Sequence, residues 1–208
     1  MLYKFITLIL TAFLVTIAQI GMAQNINQLY YKARAAYNQG NYTEAELIFR
    51  RILQLAPNYV YVYNNLGAML TEQGQSDEAI KLYQKAIMID SESATVYYNL
   101  GLALYYQKRL NQAIAAYQQA INLDRNYAKA YYNLGLVFYD QELLEEAVTA
   151  YQKAIEIYPN YTKAYYSLGL ALSKQGQLEV ASETYQKLLD IDPNAIYTYP
   201  DLNLLLGK

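Results

Sequence analysis

One phrase recurs along this chain at a fixed interval of 34 residues. Residues 95–107 read TVYYNLGLALYYQ, residues 129–141 read KAYYNLGLVFYDQ, and residues 163–175 read KAYYSLGLALSKQ. The same register divides most of the chain into five units: 26–59, 60–93, 94–127, 128–161 and 162–195. The eighth place of a unit is always glycine or alanine, the twentieth is alanine, and the fourteenth is glutamine. Agreement at so many places is not accidental, so the chain is predicted to be an array of similar structural units.

Each unit has the apolar pattern of two helices. In the fourth unit, the first helix has one apolar face at the spacing i, i+3, i+4, i+7, formed by Tyr131, Leu134, Gly135 and Phe138. The second has a face at the spacing i, i+4, i+7, i+8, formed by Ala147, Tyr151, Ala154 and Ile155. In three units a glycine stands between the helices, where it suits the left-handed end of a helix: Gly40, Gly74 and Gly176. The pattern therefore predicts an all-α chain of helical hairpins.

The small residues predict where the helices approach each other. We interpret Gly135, at the eighth place, as a point where the backbone of one helix comes close to its partner. We expect Ala147, at the twentieth place, to form the small surface that this glycine meets. Tyr151, at the twenty-fourth place, is then expected to fill the space beside the crossing.

The phrase YYNLGLALYYQKRLNQAIAAYQQAINLD, residues 97–124, resembles the tetratricopeptide repeat in its period and its small-residue places. The resemblance covers 26–195 and implies a right-handed superhelical solenoid, with residues 196–208 as a C-terminal capping segment. It also implies a non-catalytic scaffold for protein–protein interaction, which binds a peptide or protein partner in a concave groove. This sequence departs from the family where an early tryptophan is replaced by tyrosine in four units, at Tyr63, Tyr97, Tyr131 and Tyr165.

The resemblance implies that the first helix of each unit lines the groove. The residues expected on that surface form rows of tyrosine and asparagine with two lysines: Asn65, Tyr98, Asn99, Tyr105, Lys129, Tyr132, Asn133, Tyr139, Lys163 and Tyr166. Asparagine offers donors and an acceptor to a peptide backbone, and tyrosine offers a rigid ring with a hydroxyl. The alternative is structural, because the same tyrosines form a helical stripe that would pack between first helices, and the asparagines would then bridge neighbouring units.

A known peptide clamp of this family holds a C-terminal carboxylate across three successive units. Asn99, Asn133 and Lys163 occupy matching places here, but Thr95 and Ser167 stand where two cations would be needed. Without those cations the charge-assisted hydrogen bonds of that clamp are missing, so this mode of binding is not expected.

The composition limits the chemistry. The chain has no histidine and no cysteine, which excludes thiolate nucleophiles, Ser-His-Asp triads and His/Cys metal sites. A glycosidase with two carboxylates is also not expected, because no acidic pair faces the groove in this register. With 16 basic and 18 acidic residues, the chain lacks the positive surface that nucleic-acid binding needs. We therefore predict no enzymatic activity, no cofactor, no metal and no nucleic-acid partner.

Residues 1–23 have the layout of a secretory signal peptide. Lys4 precedes an uncharged apolar run, and Gly21 and Ala23 place small residues three and one before a cleavage point after Ala23. Cleavage would export the repeats to the periplasm or the medium. The alternative is an uncleaved anchor, in which residues 5–23 associate with the membrane and the protein is a tethered assembly factor for an envelope or photosynthetic complex. A further alternative is self-association through the apolar segment 203–207.

Overall fold

The structure is a computed structural model that describes residue 21 and residues 23–205. The described part is helical and contains no strand. Its helices are α1 (23–38), α2 (Tyr42–Leu55), α3 (Val60–Glu72), α4 (Ser76–Ile89), α5 (Ala94–Tyr106), α6 (Leu110–Leu123), α7 (Ala128–Asp140), α8 (Leu144–Ile157), α9 (Thr162–Lys174), α10 (Leu178–Ile191), α11 (Ala195–Thr198) and α12 (Leu202–Leu205).

The helices recur with the period of the sequence. Helices α3, α5, α7 and α9 begin at residues 60, 94, 128 and 162, and each has 13 residues. Each packs as a hairpin against the 14-residue helix that follows it, and that second helix packs against the first helix of the next unit. The prediction of an all-α solenoid of helical hairpins is confirmed.

The first helices form the inner layer of the solenoid. Helix α3 contacts α5, α5 contacts α7, and α7 contacts α9, in addition to their contacts with second helices. Side chains on one first helix can therefore contact side chains on the first helices of the units before and after it. This surface, made by α1, α3, α5, α7 and α9, is called the inner surface below.

The hairpin turns use the left-handed backbone conformation. Gly40, Gly74 and Gly176 have φ values of 78°, 77° and 80°, as their place in the sequence predicts. In the other two hairpins the same conformation is adopted by Lys108 and Glu142, with φ values of 56° and 62°. The shared turn geometry therefore places these two residues in a backbone conformation that glycine adopts at lower cost.

The contact made by the helical glycines corrects one interpretation. A Cβ atom added to Gly67, Gly101 or Gly135 would lie 2.7, 2.5 or 2.6 Å from a ring carbon of Tyr83, Tyr117 or Tyr151. Gly169 faces Tyr185 in the same way. The atoms nearest to each glycine thus belong to the tyrosine ring of the second helix rather than to the alanine of the twentieth place. The ring is the larger group, so it occupies the space that the missing side chain leaves.

The C-terminal segment continues the packing of the last unit. Ala195 in α11 and Leu202 in α12 are fully buried, and both belong to the apolar cluster of α8, α9 and α10. Apart from residues 21 and 23, the predicted signal peptide lies outside the described residues. Within the described part of the chain, no helix has the length and apolar character needed to cross a membrane.

We expect the substitution Gly135→Ala to lower the free energy of unfolding by roughly 1–3 kcal/mol, because the new methyl group collides with the Tyr151 ring. At a helical glycine with free space around it, the same substitution raises the free energy of unfolding, since alanine is the better helix former by about 1 kcal/mol. Urea unfolding followed by far-ultraviolet circular dichroism measures the change. Adding Tyr151→Leu should remove the extra cost of the methyl group, and a Gly135→Ala protein more stable than the wild type would contradict the contact.

Candidate peptide-binding surface

The structure places the predicted site residues on the first helices, along the inner surface. Tyr98, Tyr132 and Tyr166 are half-buried, as are the two tyrosines of the second row. The three asparagines of the prediction are also half-buried. Lys129 and Lys163, at the start of α7 and α9, are exposed. The predicted residues therefore lie on one surface, but most of their side chains already contact other side chains of the protein.

Tyr98, Tyr132 and Tyr166 each contact two other aromatic rings. The Tyr98 ring centroid is 6.0 Å from that of Tyr117 on the second helix and 4.9 Å from that of Tyr127 in the following turn. The same arrangement holds for the next two units, where Tyr132 lies between Tyr151 and Tyr161, and Tyr166 lies between Tyr185 and Tyr199. The last of these pairs is stacked, with centroids 4.0 Å apart and an interplanar angle of 15°. The turn tyrosines complete the aromatic surface.

Sequence reasoning missed the turn tyrosines, although a signal for them exists. In the first, third and fourth units, tyrosine at the fifth place of the unit is accompanied by tyrosine at the thirty-fourth: Tyr30 with Tyr59, Tyr98 with Tyr127, and Tyr132 with Tyr161. Such joint occurrence inside one chain indicates that the two places are in contact.

Hydrogen bonds at a constant separation of 35 residues connect successive first helices, and the last of them joins α9 to Asp201 in the turn before α12. These bonds run from Asn65 Nδ2 to Tyr30 Oη (2.7 Å), from Asn99 Nδ2 to Asn64 Oδ1 (2.9 Å), from Asn133 Nδ2 to Tyr98 Oη (3.0 Å), and from Tyr166 Oη to Asp201 Oδ2 (2.8 Å). The predicted asparagines thus donate to the preceding unit. Each of these amides can still offer its carbonyl oxygen and its second N–H to a ligand.

A second series of contacts has the same separation. Tyr105 donates from Oη to Asp140 Oδ2 at 2.8 Å, and Tyr37 donates to Glu72 in the same manner. The Lys174 ammonium lies 5.1 Å from the centroid of the Tyr139 ring, within the range of a cation–π contact. The tyrosines of this row therefore also stabilise the stacking of units.

The environment keeps these phenols protonated. Burial raises the pKa of Tyr98 to about 12. Burial and the hydrogen bond to Asp140 raise the pKa of Tyr105 to about 12. A phenol is already neutral at physiological pH, and the raised pKa keeps both hydroxyls in this hydrogen-donating form in more alkaline solution as well.

Lys129 and Lys163 are the predicted residues that remain available to a ligand. Both ammonium groups are exposed, and neither takes part in an ion pair within the described residues. They occupy the same place in successive units, beside the aromatic surface. This arrangement can bind carboxylates of an extended chain whose apolar groups contact the rings. No group of side chains in the described part could hold a metal ion.

Of two clefts in the described part of the chain, one lies away from the predicted site residues and one lies beside the tyrosine row. The larger, about 790 Å³, lies between α7 and α8 and is lined by Leu134, Phe138 and Glu145 among others, away from the predicted residues. The smaller, about 330 Å³, lies between the starts of α3 and α5 and is lined by Tyr59, Asn64 and Ser93 among others. The smaller cleft continues the tyrosine row, since Asn64 and Ser93, which line it, occupy the fifth and thirty-fourth places of the second unit.

Comparison with protein families agrees with this geometry. A family model described as "TPR repeat" matches residues 67–108, 101–142 and 137–176. Models described as "Tetratricopeptide repeat" match residues 27–59, 48–81 and 162–195. No curated protein sequence matches the chain.

Solved structures are similar over most of the chain. A crystal structure of MamA is 32% identical and has a TM-score of 0.73, covering 78% of this chain and 95% of that one. A structure of MamA residues 41 to the end from Desulfovibrio magneticus RS-1 is 21% identical with a TM-score of 0.74, covering 81% and 95%. YrrB, described as "a TPR protein with an unusual peptide-binding site", is 21% identical with a TM-score of 0.67, covering 83% and 92%. The last two show similarity of fold alone.

The bond between Asn133 and Tyr98 can be tested by a double-mutant cycle. We expect Asn133→Ala and Tyr98→Phe each to lower the free energy of unfolding by roughly 0.5–1.5 kcal/mol, because each removes one partner of the same hydrogen bond. The double variant should lose less than the sum of the two, since the bond can be lost only once. Urea unfolding gives the three values. Gln118→Ala, on the exposed side of α6, is the control and should add to Tyr98→Phe without coupling.

Proposed function

Because the chain belongs to the tetratricopeptide repeat family, we propose that it is a non-catalytic scaffold that binds an extended segment of a partner protein along its inner surface. Proteins of this family bind protein or peptide partners. The observation that carries the proposal is the pair of exposed lysines, Lys129 and Lys163, beside the half-buried tyrosines of the third to fifth units. Neither lysine takes part in an ion pair within the described residues, so both ammonium groups remain free to bind a ligand.

The two exposed lysines favour acidic side chains in the partner segment. Packed helices lie about 8–10 Å apart, and an extended chain covers that distance in about three residues. Two carboxylates about three positions apart would therefore reach Lys129 and Lys163 together. Ser167, which stands where the family clamp has a cation, is uncharged and buried, so it cannot pair with a terminal carboxylate. The proposed ligand is thus an internal acidic segment with apolar side chains, and not a free C-terminus.

Charge reversal tests this proposal. We expect the double substitution Lys129→Glu and Lys163→Glu to weaken binding of the native partner at least tenfold, because two attractive charge pairs become repulsive. The matched control is Lys85→Glu with Lys187→Glu, which makes the same change of charge at exposed positions of the second helices α4 and α10. The partner is captured by a photo-crosslinking residue at position 132, identified by mass spectrometry, and its affinity is then measured by isothermal titration calorimetry.

Equal affinity of both double variants would contradict a role for the inner surface. Loss of binding in the control alone would move the site to the outer side of the solenoid. Circular dichroism of each variant checks that the helices are retained, which is expected because all four lysines are outside the apolar core.

We also propose that the repeats act outside the cytoplasm. The support is the N-terminal sequence, with Lys4, an apolar run and small residues at positions 21 and 23. Sequencing the N-terminus of the protein from its native host should give Gln24 as the first residue. A mature chain that still begins at Met1 and sediments with membranes would instead favour the tethered assembly factor.

A further inference from the structure

The second unit interrupts the aromatic surface. Four units carry a tyrosine at the fifth place, but the second carries Asn64. The ring that stacks on this tyrosine is also missing, because the thirty-fourth place of the second unit is Ser93. In the last unit, where Ala195 occupies the thirty-fourth place, the chain still supplies a ring, since Tyr199 stacks on Tyr166. The second unit therefore lacks both members of a ring pair that the described structure retains in every other unit.

A cavity opens where the two rings are missing. It has a volume of about 330 Å³ and contains both Asn64 and Ser93 in its lining, together with Tyr59, Tyr61, Thr95 and Asp90. Tyr61 is 70% exposed, and its ring meets that of Tyr59 edge to face, with centroids 6.2 Å apart. This cavity is called the unit-two notch. It has an aromatic wall on one side and short polar side chains on the other.

We propose that the unit-two notch binds a tyrosine side chain of the partner segment. The inference rests on the proposed function, since it concerns a ligand that lies along the same inner surface. The shape argument comes from the chain itself, because the equivalent place in the other units holds a tyrosine ring packed on a second ring. A ring supplied by a partner restores in the second unit the packing that the other units have internally.

The polar groups of the notch favour tyrosine over phenylalanine. Asn64 Oδ1 accepts a hydrogen bond from Asn99, while Asn64 Nδ2 has no partner within the described residues. Amides on the same surface donate to phenol oxygens elsewhere, from Asn65 to Tyr30 and from Asn133 to Tyr98. A bound phenol would accept from Asn64 Nδ2 in the same way, and the Asp90 carboxylate at the rim can accept from its hydroxyl.

Peptide titration tests the notch directly. The probe is the blocked heptapeptide Ser-Gly-Ser-Tyr-Ser-Gly-Ser, and the comparison peptides carry phenylalanine or leucine at the centre. Two-dimensional amide NMR of the isotope-labelled protein should show that the tyrosine peptide shifts the signals of Asn64, Ser93 and Thr95. We expect an affinity severalfold lower for the phenylalanine peptide and no such shifts with the leucine peptide. If the tyrosine peptide leaves these three signals unchanged at millimolar concentration, the proposal is wrong.

A variant that fills the notch from within gives a second test. Asn64→Tyr with Ser93→Tyr introduces the ring pair of the other units, and should weaken binding of the tyrosine peptide at least tenfold. Gln118→Tyr with Gln152→Tyr adds two rings at exposed positions of α6 and α8 and should leave binding unchanged. Unchanged binding by the filled variant would overturn the proposal. If that variant fails to fold, Asn64→Asp keeps the notch open, removes its amide donor and should abolish the preference for tyrosine over phenylalanine; an unchanged preference also overturns the proposal.

Binding of the native partner to the two variants distinguishes failure of the notch proposal from failure of the proposed function. If the filled variant binds the partner normally while Lys129→Glu with Lys163→Glu does not, the notch is wrong and the inner surface stands. If neither change affects the partner, both proposals are wrong.

Discussion

The contact between a first-helix glycine and a second-helix tyrosine sets the distance between the two helices of a unit. Gly101 and Tyr117 show the geometry, since a single added carbon would lie 2.5 Å from the ring. The ring is fully buried, so it fixes the crossing of the hairpin by contact on all sides. Four units share this contact, and their helices have equal lengths and equal spacing. Hairpins of equal shape stack with a constant displacement from one unit to the next, here called the offset. Every contact between units depends on this offset.

That constant offset explains why side chains 35 residues apart meet. One period of 34 residues brings a side chain to the same place in the next unit, and one residue more brings it to the neighbouring place, which faces back along the inner surface. Asn133 therefore reaches Tyr98, and Asp140 is reached by Tyr105. Each bond contributes only about 1 kcal/mol, but the bonds recur along the array. Since stability in repeat proteins is approximately a sum of unit and interface terms, repetition makes small contacts significant.

The sequence predicted the hairpins, their period and the turn glycines, because these depend on local pattern and on small residues at fixed places. It did not predict that Lys108 and Glu142 adopt the left-handed conformation, because the equal length of the turns decides that geometry and the residue type does not. It left two roles open for Asn133, since choosing between them requires the offset between units. It also assigned the surface beside Gly135 to alanine, because spacing alone does not show which of two nearby side chains covers a gap.

The inner surface combines a structural role with a proposed binding role, and the two compete for the same side chains. An asparagine or tyrosine that is hydrogen-bonded to a neighbouring unit is held in place before a ligand arrives, which lowers the entropic cost of binding. Such a residue also has fewer free groups to offer. Selectivity for one partner therefore has to come from places where the repeated pattern is broken or unpaired. Lys129, Lys163 and the unit-two notch are such places, so differences from the repeat are more informative about the partner than the repeat itself.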